Sequence, residues 1–379
     1  MAAFYRELAG FAERGEPVVV ATVIGTRGST PREVGAKMLV RRDGSIVGSV
    51  GGGCGEAQVF WEAARVLEEG RSRICEVDLT GEINDESATN CGGVMEVFVD
   101  RAAWTPATPV GLTEAECVRR ALQARAERRA LALVVVVANP EGVSGIPVGA
   151  KWIVESGRPL AGSAPTGLEA LLTEVGAEAL ATGRSGRFWA RPAGSTWEQS
   201  PEEEGIACFI ETLDPADEVV VVGAGHIAVP LVRMAKLLDF EVALLDDRSA
   251  FANRERFPDA DLILVGPIAE RLRAHPVGPH TYVVLITRGH QHDEAALKAV
   301  IGSEAAYIGM IGSRRRVKEV FRHLTAAGIP EEWTARIHAP IGLDIGAETP
   351  AEIATAIVAE LVQVRRAAAR ERDRLCAPR

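Results

Sequence analysis

Aromatic residues make up only 5% of the 379 residues, and no apolar run is long enough to cross a membrane. The segment 131–138, one of the longest such runs, falls well short of the about 20 apolar residues that a membrane-spanning helix needs. Positive charge is in the minority, because 42 Lys and Arg face 52 Asp and Glu and leave a net charge of −10. Phosphate backbones and anionic lipids repel a negative protein. We therefore expect no nucleic-acid partner and no membrane association.

Cysteine is too sparse and too scattered for a disulfide framework. The six cysteines include no CxxC pair and are followed by no His-x-x-x-His, so a structural zinc site is not predicted either. The N-terminal segment carries charges throughout, as an amphipathic helix does and a signal peptide does not, which favours a cytoplasmic protein. Cys75, Cys117 and Cys208 lie in apolar or alternating segments and are interpreted as structural thiols. Cys54 and Cys91 stand out because glycines adjoin both.

The beginning of the chain has the pattern of an α+β module with a glycine-rich loop at its centre. β-Branched content and alternation predict five strands, and Asp43-Gly44 marks a hairpin turn between the second and the third. The loop Gly51–Gly55 opens a predicted helix at 56–69. The predicted strands are 17–24, 37–41, 45–50, 74–79 and 94–99.

Short sequence motifs of this module recur further along the chain. Val34-Gly-Ala-Lys37 returns as Val148-Gly-Ala-Lys151, 114 residues later, and a predicted helix and strand precede each copy. We interpret residues 1–105 and 110–195 as an internal duplication whose second copy has degenerated.

A comparison of the two copies separates residues that serve the scaffold from candidate functional residues. Motifs that both copies keep are assigned to the scaffold, so Lys37 is predicted to serve the structure or a shared surface. Two segments have no polar counterpart in the second copy, and these are Gly28–Arg32 and Gly51–Glu56. The thiol of Cys54 belongs to the second of them and is the foremost candidate for chemistry.

A dinucleotide-binding βαβ pattern dominates the C-terminal half. A continuous apolar strand at 218–222 runs into Gly223-Ala-Gly225-His226-Ile-Ala, followed by a helix at 229–239 and a strand at 241–245. This is G-x-G-x-x-A with an acid, Asp246, 23 residues after the first glycine. The context of strand, turn and helix makes a Rossmann fold the prediction.

Each residue of this motif has an expected role toward NAD or an adenine nucleotide. Gly223 permits the tight turn, and Gly225 lets the backbone approach a pyrophosphate at the helix N-terminus. His226 lies within the phosphate loop itself. Asp246 is expected to accept the ribose hydroxyls and to repel a 2′-phosphate.

Two further loops follow later strands of the predicted sheet, whose ranges are 261–265, 281–287 and 306–311. Gly312-Ser313-Arg314 is glycine-rich and opens a helix, which favours an anion site. Arg288–Asp293 contains two histidines and an aspartate, but no further ligand stands at a recognisable spacing. This second loop is therefore interpreted as a polar loop near the nucleotide, not as a metal site.

These patterns together predict an α/β protein, with a duplicated N-terminal α+β module followed by a Rossmann-like doubly wound parallel sheet. A polar, acidic stretch near 194–205 is interpreted as a linker. The expected boundaries are 1–105 for the first copy, 110–195 for the second, 206–349 for the Rossmann-like domain and 350–379 for a C-terminal helix.

The motifs in combination resemble the XdhC/CoxI family, the xanthine dehydrogenase accessory factors, over most of the chain. Two of the motifs are specific in combination, and they are Tyr307–Arg314 and Pro340–Gly346 with Thr349–Ala354. The other motifs that carry the resemblance are Gly28–Arg32, Gly35-Ala36, Gly48–Glu56 and Val222–His226. One departure is Gly55, where the family usually has an apolar residue between Cys and Glu. The second N-terminal copy is another.

The resemblance implies a chaperone that binds molybdenum cofactor, supports its sulfuration with a cysteine desulfurase, and delivers it to a molybdenum hydroxylase of the xanthine dehydrogenase type. Glycine-rich loops offer N–H groups to the phosphate of molybdopterin, and Arg32 adds a bidentate contact. Cys54 at a helix start is expected to be a thiolate, able to ligate molybdenum or relay sulfur. The candidate residues for cofactor binding in this module are Ser29, Thr30, Arg32, Gly52, Gly53, Cys54 and Glu56.

Two other functions stay open at this point. One is an NAD-dependent oxidoreductase for a small substrate, although no proton-transfer dyad adjoins the Rossmann loop except through His226. The other is a redox or metal-binding regulatory module that pairs Cys54 with Cys91. We also expect a homodimer, and the long C-terminal helix at 350–374 is either its contact or part of the core.

Overall fold

The structure is a computed structural model that describes residues 2–79, 92–105, 109–143 and 145–375, apart from the side chains at 2–3, 54, 290–291 and 369–375. Cys91 thus lies outside the described residues. The chain forms two compact units, Met1–Pro215 and Ala216–Arg379. None of the described helices is long and apolar enough to cross a membrane.

The described residues of the first unit form two five-stranded sheets and four helices. The helices are α1 (Ala2–Arg14), α2 (Gly53–Glu69), α3 (Glu114–Ala126) and α4 (Leu168–Thr182). The strands are β1 (Val18–Arg27), β2 (Lys37–Arg41), β3 (Ile46–Gly48), β4 (Arg73–Asp78), β5 (Val94–Arg101), β6 (Leu131–Ala138), β7 (Lys151–Val154), β8 (Gly186–Ala193), β9 (Thr196–Ser200) and β10 (Ile206–Leu213).

Four strands of each sheet share one topology. The first has the order β3-β2-β1-β5-β4, and the second has β7-β6-β10-β8-β9, with antiparallel pairing throughout. When β6 is aligned with β1, the neighbours β7, β10 and β8 take the places of β2, β5 and β4. The helices before the first strand, α1 and α3, and after the hairpin, α2 and α4, also correspond. This shared order supports an internal duplication.

The sheets of the first unit pack face to face, because central strands of each sheet present apolar side chains to the other sheet. Ile24 and Phe98 from the first sheet share a buried cluster with Leu133 and Phe209 from the second. Helix α2 covers the outer face of the first sheet, and α4 covers that of the second. The result is a four-layer arrangement of helix, sheet, sheet and helix.

The predicted boundary near residue 205 is wrong in its details. The stretch interpreted as a linker forms the hairpin of β8 and β9, and β10, expected in the Rossmann-like domain, pairs with β6 and β8 in the second sheet. Strand β9 lies at the edge of its sheet and is largely exposed. Its polar composition, which suits an exposed edge, therefore resembled that of a linker.

The second unit is built on a six-stranded parallel sheet, which confirms the predicted Rossmann-like fold. Its strands are β11 (Glu218–Val222), β12 (Glu241–Asp246), β13 (Leu262–Val265), β14 (Thr281–Leu285), β15 (Tyr307–Met310) and β16 (Ile337–His338), in the order β13-β12-β11-β14-β15-β16. Its helices are α5 (Ala228–Leu237), α6 (Ile268–Ala274), α7 (His290–Val300), α8 (Arg314–Ala326), α9 (Glu331–Ala335) and α10 (Pro350–Leu375).

The C-terminal helix α10 belongs to the core of this unit. Ile357 and Leu361 are fully buried and share a cluster with Leu231 and Val232 of α5. The interpretation of its apolar stripe as core packing is therefore right for these residues. The helix is part of the Rossmann-like unit and not an appendage to it.

Candidate functional site

Glycine-rich loops meet at one edge of the first sheet. In an antiparallel sheet the end of β1 and the start of β5 lie side by side, so the loop after Arg27 adjoins the segment before Val94. A Cβ on Gly28 would lie 2.9 Å from the carbonyl oxygen of Gly92, and one on Gly93 would lie 2.4 Å from that of Ser29. Such approaches of backbone to backbone leave room only for glycine.

The loop that opens helix α2 joins the same cluster. A Cβ on Gly51 would lie 2.7 Å from Cγ of Pro31, so the two first-copy segments without a polar counterpart in the second copy are in contact. Ser29 and Arg32 are exposed there, and the hydroxyl of Thr30 donates to the carbonyl of Arg32 at 3.0 Å. The fold therefore brings together loops that lie far apart in the sequence. We call residues 28–32, 49–56 and 92–93 the loop cluster.

Helix α2 begins at Gly53, with Gly52 as its N-cap at a positive φ of 75° that favours glycine. The carboxylate of Glu56 accepts the N–H of Gly52 at 3.0 Å and the hydroxyl of Ser49 at 2.7 Å. Glu56, predicted to bind the cofactor, thus fixes the start of the helix. Position 54 lies in its first turn, where unpaired N–H groups and the helix dipole favour an anion.

The second candidate site lies where the parallel strands of the Rossmann-like unit end. Gly223 has φ 113°, and a Cβ there would lie 2.6 Å from the carbonyl oxygen of Ile286, so the turn after β11 requires glycine. A Cβ on Gly225 would meet no atom within 4 Å. The backbone at Gly225 is thus open to a ligand, and His226 beside it is exposed.

Asp246 points into the protein and is only 2% exposed. Its carboxylate accepts the N–H of Ala224 at 2.7 Å and the guanidinium of Arg248 at 2.9 and 3.0 Å. Burial alone would raise the pKa of Asp246, but the hydrogen bonds from Arg248 and Ala224 outweigh it and lower the pKa to about 2. The predicted contact with ribose hydroxyls does not fit this position, because both oxygens already have donors.

The neighbouring charges at this edge were not predicted from the sequence. Asp247 is exposed and pairs with Arg288 at 2.7 Å, and Arg248 lies 3.8 Å from the ring centroid of Phe251. Arg248 follows Asp246 by only two residues, which was the available signal for their pairing. Asp247 is the carboxylate here that a ligand can reach.

Two family models match the chain, one described as the XdhC and CoxI family over residues 11–78 and one as the XdhC Rossmann domain over residues 219–361. Together they cover more than half of it. The chain belongs to the XdhC/CoxI family. The first model covers two of the three segments of the loop cluster, and the second covers the Rossmann loop.

Several known proteins resemble this family member. A Bacillus subtilis protein described as a probable xanthine dehydrogenase subunit is 27% identical over 97% of this chain and 98% of its own length. YqeB of Escherichia coli is 26% identical over 95% of this chain, which spans only 46% of YqeB. The molybdenum cofactor insertion chaperone PaoD of Escherichia coli is 42% identical over 59 residues, 16% of this chain and 19% of its own.

A solved structure shares the whole architecture. It is described as a xanthine dehydrogenase from Bacillus halodurans, is 25% identical, covers 96% of both chains and has a TM-score of 0.73. The likeness extends over both units and agrees with the fold predicted from the sequence.

In this XdhC/CoxI family member the two ends of the loop Arg288–Asp293 belong to different ion pairs. Arg288 pairs with Asp247, and Asp293 pairs with Arg316. Asp293 is fully buried, accepts the hydroxyl of Thr287 at 2.5 Å and pairs with Arg316. Burial raises the pKa of Asp293 above its ordinary value, although the hydrogen bond from Thr287 and the pairing with Arg316 act to lower it. Among the described side chains, which exclude those of Cys54 and His290, no group of three could hold a metal ion.

The predicted anion site at Gly312–Arg314 is also a helix start. Ser313 is the N-cap of α8, and its hydroxyl accepts the N–H of Arg316 at 3.3 Å. Gly312 has φ 159°, and Arg314 is exposed in the first turn. Ser313 thus orders the helix and leaves Arg314 facing solvent.

The C-terminal motif that helped to identify the family is structural. Glu352 accepts the N–H groups of Glu348 and Thr349 at 2.9 and 2.8 Å, and the hydroxyl of Thr349 accepts the N–H of Glu352. This is a capping box at the start of α10. Gly342 lies against the backbone of that helix, where a Cβ would come within 3.2 Å of Ala356.

The structural thiols are where the sequence predicted them. Cys75, Cys117 and Cys208 are buried and free. Burial raises the pKa of all three thiols, that of Cys208 to about 12. They are therefore neutral at physiological pH and poor nucleophiles.

Proposed function

We propose that the chain binds molybdenum cofactor at the loop cluster of its first unit and serves a molybdenum hydroxylase of the xanthine dehydrogenase type. The observation that carries this proposal is the convergence of Gly28–Arg32, Gly51–Glu56 and Gly92-Gly93 around the start of α2. Membership of the XdhC/CoxI family and the similarity to the chaperone PaoD support it.

The residues of the loop cluster fit an anionic, phosphorylated pterin. Backbone N–H groups at glycines and at the start of a helix bind phosphate, and the exposed guanidinium of Arg32 can grip it in a bidentate manner. A thiol at position 54 gains thiolate character from the helix dipole. It supplies a soft ligand for molybdenum or a carrier for sulfur.

Sulfuration and delivery form the finer part of the proposal. Cys54 takes the outer sulfur of a cysteine desulfurase persulfide by thiol exchange, which releases the desulfurase thiol, and holds that sulfur as its own persulfide beside the bound cofactor. Passing the sulfur on as sulfide would require two electrons from a thiol reductant and would return Cys54 to the free thiol. The chain then hands the cofactor to the hydroxylase in the cytoplasm. The chain acts as a chaperone in this scheme and forms a homodimer. Ser29 and Thr30 supply hydroxyl groups beside the phosphate.

Replacing Cys54 with alanine tests this function. Activation of a molybdenum hydroxylase by the full chain should be lost in Cys54→Ala, while the thermal unfolding midpoint stays within a few degrees of the wild type. Cys75→Ala is the matched control, because it removes a buried thiol from β4 and should keep activation. Full activation by Cys54→Ala would exclude the role of this thiol.

The Rossmann-like unit is proposed to bind NAD or an adenine nucleotide. The open backbone at Gly225, the tight turn at Gly223 and the exposed Asp247 support this assignment. Arg314 at the neighbouring helix start offers a further contact for phosphate.

A further inference from the structure

Two buried ion pairs connect the two sheets of the first unit in a reciprocal way. Nζ of Lys37 in the first copy lies 2.9 Å from Glu211 in the second, and Nζ of Lys151 in the second copy lies 2.5 Å from Asp100 in the first. All four side chains are at most 8% exposed. Lys151 has Glu114 as a second acid at 3.2 Å.

The strand registers show that these residues occupy equivalent positions. Asp100 pairs with Val20 of β1, which also pairs with Leu39, two residues after Lys37. Glu211 pairs with Leu133 of β6, which also pairs with Ile153, two residues after Lys151. Each copy therefore supplies a lysine to the acid of the other copy. Both copies have thus kept a lysine and an acid at equivalent positions, and each lysine pairs with the acid of the other copy.

Lys37, which pairs with Glu211, also contacts the loop cluster through its backbone. The carbonyl of Lys37 accepts the N–H of Ser49 at 3.1 Å, and the hydroxyl of Ser49 donates to Glu56, which holds the start of α2. A continuous set of contacts thus leads from the second copy to the turn that carries Cys54.

A second contact from the second copy supports the other side of the cluster. Arg187 of β8 pairs at 3.3 Å with Glu96 of β5, two residues after the start of that strand. Glu96 also packs on β1, where a Cβ on Gly25 would lie 2.5 Å from its carboxylate. The strands β1 and β5 carry the loop Gly28–Arg32 and the Gly92-Gly93 segment at this edge.

We propose that the second copy is a built-in scaffold that positions the loop cluster of the first copy, with Glu211 and Arg187 as positioning residues. Glycine-rich loops have few side chains of their own to fix them, so their geometry depends on the supporting layer. The second copy lost the polar loops but kept this supporting surface. The inference rests on the proposed binding of molybdenum cofactor at the cluster.

The pseudo-symmetry provides a matched control within the same chain. Glu211→Gln removes the acid that pairs with Lys37, whose backbone contacts the loop cluster, whereas Asp100→Asn with Glu114→Gln removes both acids around Lys151 of the second copy. Each change leaves a buried lysine without its carboxylate partner. We expect both variants of the full chain to lower the thermal midpoint, the control by at least as much.

Binding of molybdopterin, measured by ultrafiltration with the pterin released from a molybdoenzyme, separates the two variants. Glu211→Gln should raise the dissociation constant about tenfold, since small displacements of positioned groups are costly. The control should leave it within about twofold, which is within ordinary additivity error. Glu211→Asp should restore most of the affinity, because the equivalent pair of Lys151 with Asp100 shows that an aspartate can reach the lysine. Equal changes in both variants, or none in Glu211→Gln, would overturn the inference.

A second readout keeps the inference separable from the proposed function. The alkylation rate of Cys54 by iodoacetamide, followed by peptide mass spectrometry, reports the geometry of the loop without any cofactor. It should change severalfold in Glu211→Gln and stay unchanged in the control. If the wild type binds no molybdopterin, the proposed function fails, and this rate alone then decides whether the second copy positions the loop.

Discussion

Single glycines determine how closely the segments of the loop cluster approach one another. Gly28, Gly51 and Gly93 each occupy a position where a Cβ would clash with backbone or with Pro31. Gly55 belongs to the same group for another reason. It lies on the buried side of α2, where a Cβ would come within 2.8 Å of Val77 and 3.2 Å of Leu79. The family usually has an apolar residue at this position. In this chain glycine stands there, and α2 and β4 are in close contact.

Gly55→Ala should destabilise the first unit by about 1 kcal/mol, since the clash outweighs the gain of about 1 kcal/mol in helix propensity. The free energy of unfolding in urea measures the effect. The matched double variant adds Val77→Ala, which should cost less in the Gly55→Ala background than in the wild type. Equal costs in the two backgrounds would show that the contact does not exclude a side chain.

Asp246→Asn tests a single buried charge. Folding stability should fall by about 2 kcal/mol at pH 7, because Arg248 loses its ionised partner. The pKa of Asp246 is lowered to about 2 in the folded state from an ordinary 3.8, so its contribution is present above pH 3.8 and is lost as the pH falls toward 2. The stability difference between wild type and variant should accordingly shrink across that window.

The exposed neighbour serves as the control for this pH dependence. Asp247→Asn removes a surface pair with Arg288 and should change the free energy of unfolding by less than about 1 kcal/mol. A pH-independent difference between wild type and Asp246→Asn from pH 7 to 2 would contradict the assigned pairing.

At the scale of elements, helix starts explain several motifs that looked functional in the sequence. Glu56 holds the N-cap of α2, Ser313 caps α8, and Thr349 with Glu352 caps α10. A capped helix start keeps its other N–H groups directed outward in a fixed geometry. The same residues can therefore serve the fold and present a binding surface.

Thr349→Ala should destabilise the Rossmann-like unit by about 1 kcal/mol, the ordinary cost of a lost N-cap. The reason is that α10 packs its buried residues into the core of that unit. Thr355→Ala makes the same chemical change on the exposed face of α10 and should be close to neutral. Similar losses in the two variants would contradict the role of the cap.

The whole molecule consists of two units with different designs. The first has two antiparallel sheets, with the loop cluster at the edge of one of them, and the second is a parallel sheet with a glycine turn after its central strand. Each unit has its own buried cores. Each also has its own candidate ligand, so the two can be tested independently.

Gly225→Ala addresses the ligand of the second unit. A methyl group fits the protein there, so the thermal midpoint should stay within a few degrees, whereas NAD or ADP should bind at least about tenfold more weakly because the backbone approach is blocked. Calorimetric titration of both nucleotides measures this. Unchanged binding would place the nucleotide elsewhere, and no binding to the wild type would refute the nucleotide assignment.

The sequence by itself determined whatever depends on local patterns. The strand at 218–222, the glycine turn that follows it and the helix after that are neighbours in the chain, so their spacing predicted the Rossmann-like fold. The comparison of the two similar segments also predicted that Lys37 serves the structure or a shared surface, and its burial against Glu211 favours the structural role.

The tertiary structure decided which distant residues meet. No local pattern shows that Glu211 pairs with Lys37, that β10 belongs to the second sheet or that Pro31 packs on Gly51. The inward position of Asp246 likewise depends on the Ala224 N–H of the adjacent strand end, which only the folded sheet brings within 2.7 Å. Such contacts arise from strand pairing and sheet packing, which join segments whatever their separation in the chain.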